Sequence, residues 1–145
     1  MLYNAREKNH NLMLILVTSP IPMMKAIKNE TEMANTYTAY LKDVCAEAEF
    51  FGWLFEALEN GETLTEWDCS EKIASFRAAQ GNYVSESFTA IMAYRDNAAM
   101  MHYAPTLDNC KKLERAHLFL NDSGGQYYEG TTDTTRTFAL GEISA

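Results

Sequence analysis

The chain has 145 residues, a length that ordinarily makes one domain and is sufficient to bury a hydrophobic core. Hydrophobic residues make up 47% of it, which is typical of a globular chain and excludes a disordered one. The formal net charge is −8, from 12 basic and 20 acidic residues. Without a cluster of basic residues, binding to nucleic acid through its phosphates is not expected.

The N-terminal part contains one short apolar run, at residues 12–17. The run is too short to span a membrane, and no cleavage site of small residues follows it, so we expect neither a membrane partner nor a signal peptide. We predict a buried strand that ends at Ser19-Pro20. Residues 1–20 are then the end of a preceding linker or strand.

The three cysteines, Cys45, Cys69 and Cys110, do not have the spacing of a metal site. Their odd number argues against a disulfide framework and fits a reducing compartment, so we expect a cytoplasmic protein. Each cysteine is expected to be a small buried hydrophobic residue.

The spacing of apolar residues predicts a long helix over residues 29–59. Asn29 can cap its N-terminus, and Glu32 stands three residues later, as in a capping box. Asn60-Gly61 is typical of a helix end. Apolar side chains recur at helical spacing in one wide stripe, which we expect to lie in the core. The stripe consists of Met33, Tyr37, Tyr40, Leu41, Val44, Ala48, Phe51, Leu54, Phe55 and Leu58.

A second helix is predicted over residues 65–80. Thr65 is a suitable N-cap, and the acidic Glu66 and Asp68 stand in the first turn, where the helix dipole favours negative charge. Gly81 is expected to end this helix. Its buried side should carry Trp67, Ile73, Phe76 and Ala79.

After the second helix the hydrophobic pattern changes to that of strands. We predict three strands from apolar, β-branched and aromatic runs bounded by turn residues. The first covers residues 87–94 and the third residues 134–140. Between them, residues 113–120 lead into a short apolar strand that ends at Asn121-Asp122. Two helices followed by three strands indicate an α+β fold, with the two helices packed on an antiparallel sheet.

The last two predicted strands are joined by residues 123–132, which contain three glycines and so predict a hairpin. A hairpin centred between Tyr127 and Tyr128 places Asp122 directly opposite Asp133, with the two Cα atoms about 4.5–5.5 Å apart. Opposed like charges repel, and a divalent cation shared by both carboxylates would compensate for that repulsion. Alternatively, aspartates beside glycines are turn residues with solvated side chains. The spacing alone leaves both interpretations open.

The segment DSGGQYYEGTTDTTRTFALG, residues 122–141, closely resembles the metal-binding hairpin of Xaa-Pro aminopeptidases, in the pita-bread (creatinase/aminopeptidase-like) metallopeptidase superfamily. The pattern of that family is D-S-G-x-Q-Y-x-x-G-T-T-D-x-T-R-T. The resemblance implies that Asp122 and Asp133 are ligands of a centre of two divalent metal ions, usually manganese. Arg136 is an odd number of residues from Asp133 and so lies on the opposite strand face, where we expect a structural ion pair.

The resemblance extends upstream and covers about residues 18–141. SPIPMMKAIKNETEM resembles the start of the family's catalytic domain, LTEWDCSEKIASFR its second helix, and SFTAIMAYRDNAAMMHYAP the strand and loop that end in His-Tyr. The chain departs from the family at Arg95-Asp96, where a glycine is usual before the asparagine, and at Ala90. The resemblance implies that His102 lies in the active site and helps to hold the substrate or the developing tetrahedral centre.

The family completes its metal centre with a histidine and two glutamates from the second half of the catalytic domain. No histidine follows His117, and the glutamates beyond Asp122, Glu129 and Glu142, do not stand in those downstream motifs. We therefore assign residues 21–145 to the N-terminal half of the domain, a partial pita-bread fold. We expect this chain alone to bind the metal pair weakly or not at all and to have little or no peptidase activity.

The implied function is that of a fragment of a dimetal Xaa-Pro aminopeptidase, which hydrolyses the bond between an N-terminal residue and a following proline. Its partners would be peptides with proline at the second position. A half domain exposes apolar surface, so self-association is expected as well. The alternative is a non-catalytic module that binds peptides or proteins, and the presence of Asp122 and Asp133 argues against it.

Overall fold

The computed structural model describes residue 15 and residues 17–143. In chain order the elements are α1 (Ile21–Ala26), α2 (Glu30–Glu59), α3 (Glu66–Ala79), β1 (Tyr83–Glu86), β2 (Ile91–Tyr94), a 3₁₀ helix (Arg95–Ala99), β3 (Leu118–Ser123), β4 (Gly125–Tyr127) and β5 (Thr134–Ala139). Strands β2, β3 and β5 form an antiparallel sheet in the order β2-β3-β5, and β1 pairs with β4 in a separate antiparallel ribbon. The predicted α+β class is confirmed.

Both long helices begin at the residues predicted to cap them. The backbone nitrogen of Glu32 donates to Oδ1 of Asn29 at 2.8 Å, and that of Asn29 donates to Oε2 of Glu32 at 2.9 Å. Thr65 and Asp68 form the same reciprocal pair at the start of α3. Beyond the end of α2, Gly61 has a φ of 76°, which glycine adopts without strain. Local side-chain chemistry therefore sets the helix boundaries.

The strand predictions locate the three-stranded sheet but are wrong about several of its bounds. The strand predicted at residues 134–140 is β5, whereas only the second half of the one predicted at residues 87–94 is a strand, β2. The short strand predicted to end at Asn121-Asp122 is β3, which begins only at Leu118 and ends at Ser123. The short strands β1 and β4 are not predicted, because each is stabilised by pairing with the other, far along the chain, and not by a local apolar pattern.

The buried strand predicted for residues 12–17 is not supported by the part of it that is described. Residues 12–14 and 16 lie outside the described residues, while Ile15 and Val17 are exposed and in no strand. Helix α1, which follows, buries none of its residues. The described elements therefore do not cover Ile15 or Val17. Among the helices of residues 17–143, none combines the length and apolarity that crossing a membrane requires.

The hydrophobic core lies between α2, α3 and the three-stranded sheet. Phe50 and Leu54 of α2 pack in one cluster with Ile73 of α3, Met92 of β2 and Phe119 of β3, and all five are fully buried. Burying a side chain of this size stabilises a fold by about 1.5–3 kcal/mol. The core thus fixes the sheet against both helices.

The apolar stripe predicted along α2 is mostly not the face that lies in the core. Within the stripe Leu54 and Leu58 are buried and Phe51 is half-buried. The other members are exposed and are called the exposed α2 face here: Met33, Tyr37, Tyr40, Leu41, Val44, Ala48 and Phe55. The buried face consists of Ala39, Asp43, Ala46, Phe50, Leu54, Ala57 and Leu58. Small alanines let neighbouring backbone approach, as Gly130 does at Ala39, so packing selects this face over the bulkier one.

The buried face of α3 also differs from the prediction. It carries Glu66, Cys69, Ile73 and Arg77, while Trp67 and Phe76 are half-buried and Ala79 is exposed. Two charged side chains therefore lie in the core, one at each end of this helix. Burying a charge costs free energy that its partners must offset. Arg77 pairs with carboxylates, whereas Glu66 has no ion-pair partner among the described residues and instead accepts several hydrogen bonds.

The three cysteines are free thiols, but they do not share one environment. Cys69 is buried as expected, whereas Cys110 is half-buried and Cys45 is exposed. The expectation of burial is wrong for Cys45 because it lies on a side of α2 that no described element covers.

Arg77 is fully buried and joins four elements at one point. Its Nε donates to Asp43 at 2.7 Å, its Nη2 to Glu47 at 2.8 Å and its Nη1 to Glu86 at 2.9 Å. Its Nη2 also donates to Oγ of Ser123 at 3.0 Å. We call these residues the Arg77 cluster. One cation faces three carboxylates, so the cluster carries an excess of negative charge when all three are ionised.

This excess changes the proton affinity of the cluster. Burial raises the pKa of Glu47 to about 7, because the loss of hydration outweighs the attraction of Arg77, and repulsion by Asp43 acts in the same direction. Burial also raises the pKa of Glu86. The cluster therefore holds a proton at pH values where an exposed carboxylic acid has lost it.

We expect the free energy of unfolding to fall as the pH rises from about 4.5 to about 7. The folded state keeps the Glu47 proton to a higher pH than the unfolded chain, so this contribution is complete at low pH and is lost as the pH passes the folded pKa. Its size is roughly 3 kcal/mol, from about 1.4 kcal/mol for each pKa unit. Glu47→Gln should remove it, as measured by urea unfolding across that pH range.

Glu49→Gln is the matched control, because Glu49 is an exposed acid on the same helix. This variant should keep the pH dependence of the wild type. A Glu47→Gln chain with the same dependence as the wild type would contradict the assignment of the proton to the Arg77 cluster.

Candidate functional site

The two aspartates of the predicted hairpin lie close to each other, one on β3 and one directly before β5, but they are not directly opposite. Asp122 lies opposite Thr135, whose Oγ1 donates to Oδ1 of Asp122 at 2.8 Å. Asp133 immediately precedes β5, two positions before Thr135, and so is the diagonal neighbour of Asp122. Diagonal neighbours are about 7–8 Å apart, further than an opposed pair. The expectation of direct opposition is wrong.

The register differs because residues 123–132 are not a simple loop. Gly125–Tyr127 form β4, which leaves the three-stranded sheet and pairs with β1. A tight turn follows, in which the nitrogen of Tyr127 donates to the carbonyl of Gly130 at 2.9 Å. The chain therefore returns to β5 with a pairing that a hairpin centred at the two tyrosines does not give.

Gly124 and Thr132 hold the two aspartate-bearing segments together. A Cβ added at Gly124 would lie 1.9 Å from the carbonyl oxygen of Thr132, so only glycine fits this close approach. Thr132 is fully buried; its nitrogen donates to the carbonyl of Gly125 at 2.9 Å, and its Oγ1 accepts from the nitrogen of Gly125 at 2.8 Å. These contacts fix the backbone close to Asp122 and directly before Asp133.

The neighbours of Asp122 in β3 point into the core. Nδ2 of Asn121 donates to Glu47 at 2.7 Å, and Oγ of Ser123 donates to Oδ1 of Asn121 at 2.6 Å while accepting from Arg77. Because successive strand residues point to opposite faces, Asp122 is directed away from the Arg77 cluster. Asp122 itself is half-buried and so remains partly open to solvent.

His102 lies near Asp122 although the two are far apart in sequence. It is exposed, in a turn that follows the 3₁₀ helix, and its φ of 57° is unusual for a residue with a side chain. His102 and Asp122 line one pocket of about 250 Å³. Asp133, which is exposed, is not among its lining residues. The remaining walls are Ile91, Ala98, Met100, Met101 and Leu120.

The loop before His102 departs from the Xaa-Pro aminopeptidase pattern at Arg95 and Asp96. Arg95 has a φ of 58°, in the left-handed region that glycine adopts without strain. Asp96 pairs with Lys111, and the hydrogen bond from that lysine lowers the pKa of Asp96. Arg95 thus adopts a backbone conformation that favours glycine, and an ion pair beside it ties the loop to the segment before β3.

The carboxylates of this site can contribute to a metal centre without completing one. Neither Asp122 nor Asp133 forms an ion pair with a basic side chain of the described residues. Their oxygens suit a hard divalent cation such as Mn²⁺. Within residue 15 and residues 17–143, no group of three or more His, Cys, Asp or Glu side chains could hold a metal ion. The donor set therefore fits one wall of a metal centre.

Arg136 does not have the ion-pair role expected of it. In the described part of the chain it pairs with no carboxylate, and its Nη1 donates to the carbonyl of Thr135 at 2.7 Å. It lies opposite Asn121 in the sheet and borders a pocket that includes Asp43 and Glu47. Those two acids pair instead with Arg77, which is fully buried and closer to them.

The sequence patterns do not single out Glu47, Glu66 or Arg77, although all three support the site. Charged residues on amphipathic helices are ordinarily solvated, so helical spacing alone gives them no special status. One signal is available: Glu66 and Arg77 share a helical face with Cys69 and Ile73. A charge on the same face as residues expected in the core indicates a buried ion pair or hydrogen-bond network.

The chain matches known metallopeptidases over most of its length. The model of metallopeptidase family M24 matches residues 30–145. Aminopeptidase P2 from Arabidopsis thaliana is 40% identical over 131 residues, which cover 90% of this chain and 18% of the relative. The Xaa-Pro aminopeptidase ApepP from Drosophila melanogaster is 37% identical over 124 residues, which cover 86% of this chain and 20% of the relative.

Solved structures give the same result for the fold. X-prolyl aminopeptidase from Caenorhabditis elegans, described as a cytosolic enzyme with a di-nuclear active site, has a TM-score of 0.80 at 40% identity. The match covers 85% of this chain and 20% of that one. An Xaa-Pro dipeptidase from Bacillus anthracis has a TM-score of 0.74 at 24% identity, and the match covers 98% of this chain and 37% of the dipeptidase. At this identity the match supports the fold alone.

The chain spans about a fifth of the length of the curated relatives it matches. The predicted resemblance to Xaa-Pro aminopeptidases and the α+β, partial pita-bread fold are confirmed. Nothing in these similarities favours the alternative of a non-catalytic binding module. With a family model matched over residues 30–145, the chain belongs to metallopeptidase family M24.

Proposed function

We propose that residues 21–145 are the N-terminal half of the catalytic domain of an Xaa-Pro aminopeptidase. This activity hydrolyses the bond between an N-terminal residue and a following proline. One observation carries the proposal: in an M24 chain, Asp122 lies on β3, Asp133 directly precedes the neighbouring strand β5, and Asp122 shares a pocket with His102.

Asp122 and Asp133 are proposed to bind two divalent ions, with Mn²⁺ as the first candidate. Two such ions, when bound, would activate a water molecule and stabilise the negative charge that develops on the scissile carbonyl. The hydrogen bond from Thr135 holds one oxygen of Asp122 and so orients its carboxylate, as partners of metal ligands commonly do. The close contact of Gly124 with Thr132 maintains the separation of the two aspartates.

His102 is proposed to act on the substrate and not on the metal ions. It stands on the wall of the pocket that Asp122 borders, where an imidazole can donate or accept a hydrogen bond. It would hold the bound peptide, or the carbonyl oxygen as that atom gains negative charge. The apolar walls of the pocket, such as Ile91 and Leu120, would lower the local polarity and strengthen that hydrogen bond.

The substrates proposed are peptides with proline at the second position, since relatives that match most of this chain carry the name Xaa-Pro aminopeptidase. A cytoplasmic location is proposed for two reasons. The three cysteines are free thiols, as is usual in a reducing compartment, and the similar protein from Caenorhabditis elegans is described as cytosolic.

For the isolated chain we propose weak metal binding and little or no activity. Two carboxylates offset only half the charge of two divalent ions. They also offer too few oxygens to complete the coordination of both ions. The missing ligands would have to come from polypeptide beyond this chain.

Calorimetric titration of the chain with Mn²⁺ should therefore show weak heats without a two-site endpoint. Asp122→Asn combined with Asp133→Asn should remove the remaining heat, because both proposed ligands lose their charge. Asp108→Asn, which changes an exposed acid with no proposed role, is the control and should behave as the wild type. Tight binding of two ions per wild-type chain would contradict the proposal.

The chain extended through the rest of an M24 catalytic domain should cleave a peptide with proline at the second position. It should leave uncut a peptide in which alanine replaces that proline. In this extended protein, Asp122→Asn and Asp133→Asn should each lower kcat by about 10³-fold or more, since a metal ion supplies several kcal/mol of transition-state stabilisation.

Asp108→Asn again serves as the control and should leave kcat unchanged. Full activity of either variant, Asp122→Asn or Asp133→Asn, would exclude that residue as a required ligand. Equal cleavage of the two peptides would overturn the proposed substrate class.

Self-association of the isolated chain is proposed from the exposed α2 face. Tyr37 is 74% exposed, Leu41 55% and Val44 59%, and they lie along one side of the helix. Strand β5 is at the edge of the three-stranded sheet, and Phe138 of β5 packs on Phe51 of α2 with ring centroids 4.0 Å apart. A continuous apolar surface beside a free strand edge is a usual place for association.

Replacing Leu41 and Val44 together by serine should shift the chain towards monomer in sedimentation velocity measurements at high concentration. Both side chains are exposed, so the fold should be retained, as checked by circular dichroism. Leu107→Ser is the matched control, because Leu107 is 75% exposed but does not belong to the exposed α2 face. A wild-type chain that stays monomeric at high concentration would contradict the proposal.

A further inference from the structure

We propose that Glu66 is a positioning residue for His102. Its buried carboxylate anchors the segment of residues 94–111, and this segment carries His102 to the pocket that Asp122 lines. The consequence for catalysis rests on the proposed function, whereas the anchoring itself is a property of this chain and can be tested without activity.

The carboxylate of Glu66 is fully buried and accepts hydrogen bonds from four residues of that segment. Oε1 accepts from the backbone nitrogen of Tyr94 at 2.6 Å. Oε2 accepts from the hydroxyl of Tyr103 and from the backbone nitrogen of Lys111, both at 2.7 Å. Nδ2 of Asn97 lies 3.0 Å from each oxygen. One side chain thus binds the start, the middle and the end of the segment.

The middle of the segment depends most on this carboxylate. Its two ends have other support, since Tyr94 belongs to β2 and the nitrogen of Glu66 donates to the carbonyl of Lys111 at 3.0 Å. Asn97 and Tyr103 lie in no strand, and both are buried and donate hydrogen bonds to Glu66. His102 directly precedes Tyr103, so the anchored tyrosine determines where the histidine backbone lies.

His102 needs such an anchor because its own backbone conformation is unfavourable. Its φ of 57° lies in the left-handed region, which residues with a side chain adopt only when the surrounding structure imposes it. His102 itself is exposed, so packing of its ring does not impose this conformation. The hydrogen bond from Tyr103 to Glu66 and the one from its nitrogen to the carbonyl of Met100, at 3.2 Å, are the contacts that do.

The hydrogen bonds require a carboxylate and not merely a side chain of that size. Every partner of Glu66 is a donor, and two of them are backbone N–H groups that cannot rotate. A glutamine at this position would direct its amide hydrogens at Tyr94 or at Lys111, whichever way it is turned. Tyr103 and Asn97 could adjust by rotation, but one backbone donor would always be left without an acceptor.

The anchoring is tested with Glu66→Gln by hydrogen exchange of the 145-residue chain. Amides of residues 97–108 should exchange about 10- to 100-fold faster than in the wild type, the change expected when hydrogen bonds to a charged group are lost. Asp43→Asn is the matched control, because it also converts a buried acid to its amide, but Asp43 contacts Arg77 and not the loop. It should leave the exchange of residues 97–108 unchanged relative to the core.

A second measurement separates positioning from general destabilisation. In the wild type, nuclear Overhauser contacts are expected between the His102 ring and the methyl groups of Ile91 and Leu120, which line the same pocket. Glu66→Gln should lose them, and Asp43→Asn should keep them. Where Glu66→Gln does not fold, Tyr103→Phe removes a single donor and should give the same losses in smaller measure. Unchanged contacts and exchange in the folded variant would overturn the proposal.

The catalytic consequence is measured in the extended protein that tests the proposed function. Glu66→Gln should lower kcat by about 10²-fold with a smaller change in KM, as expected when a group acting in the transition state is misplaced. An inactive extended wild type would contradict the proposed function and leave the anchoring result intact. An active one with equal kcat in Glu66→Gln would overturn the positioning role alone.

Discussion

The arrangement of the other elements depends on the hydrogen bonds and ion pairs that the guanidinium of Arg77 makes. It lies on α3 and donates to α2 through Asp43 and Glu47, to β1 through Glu86 and to β3 through Ser123. A planar guanidinium offers five donors in fixed directions, so its partners must take fixed places around it. A buried ion pair adds little stability once desolvation is counted, so the cluster contributes geometry more than free energy.

Helix α3 has a buried charged residue near each end, and each of them holds other parts of the chain in place. Glu66 stands at its first residue and Arg77 eleven positions later, about 16 Å along the helix axis. The carboxylate binds the loop that carries His102, and the guanidinium binds the strand that carries Asp122. A helix of this length is stiff, so the two parts of the candidate site are held at a constant separation. Both buried charges lie on the face of α3 that also carries Cys69 and Ile73.

The sequence predicts what is decided locally and fails where distant segments decide. Asn29 and Thr65 are read correctly as caps because the capping partner of each is three residues away. The register of Asp122 and Asp133 is predicted wrongly, because β4 leaves the sheet to pair with β1. No local sequence pattern indicates that pairing. Hydrophobicity also selects the wrong face of α2, since close packing there favours alanines. Asp122, Asp133 and His102 are predicted as site residues through a resemblance between motifs and not through geometry.

The contacts that place Asp122 and Asp133 are complete within the described part of this chain. Gly124 and Thr132 fix the backbone between them, and the Arg77 cluster holds β3 from the side opposite the aspartates. The backbone would therefore lose little conformational entropy if a metal ion bound to these two carboxylates. Weak binding by the isolated chain would follow from the number of ligands and their charge, not from disorder of the ligands present. A polypeptide that supplied the remaining ligands would therefore meet a wall of the site that is already formed, and its own ordering would determine the affinity of the completed centre.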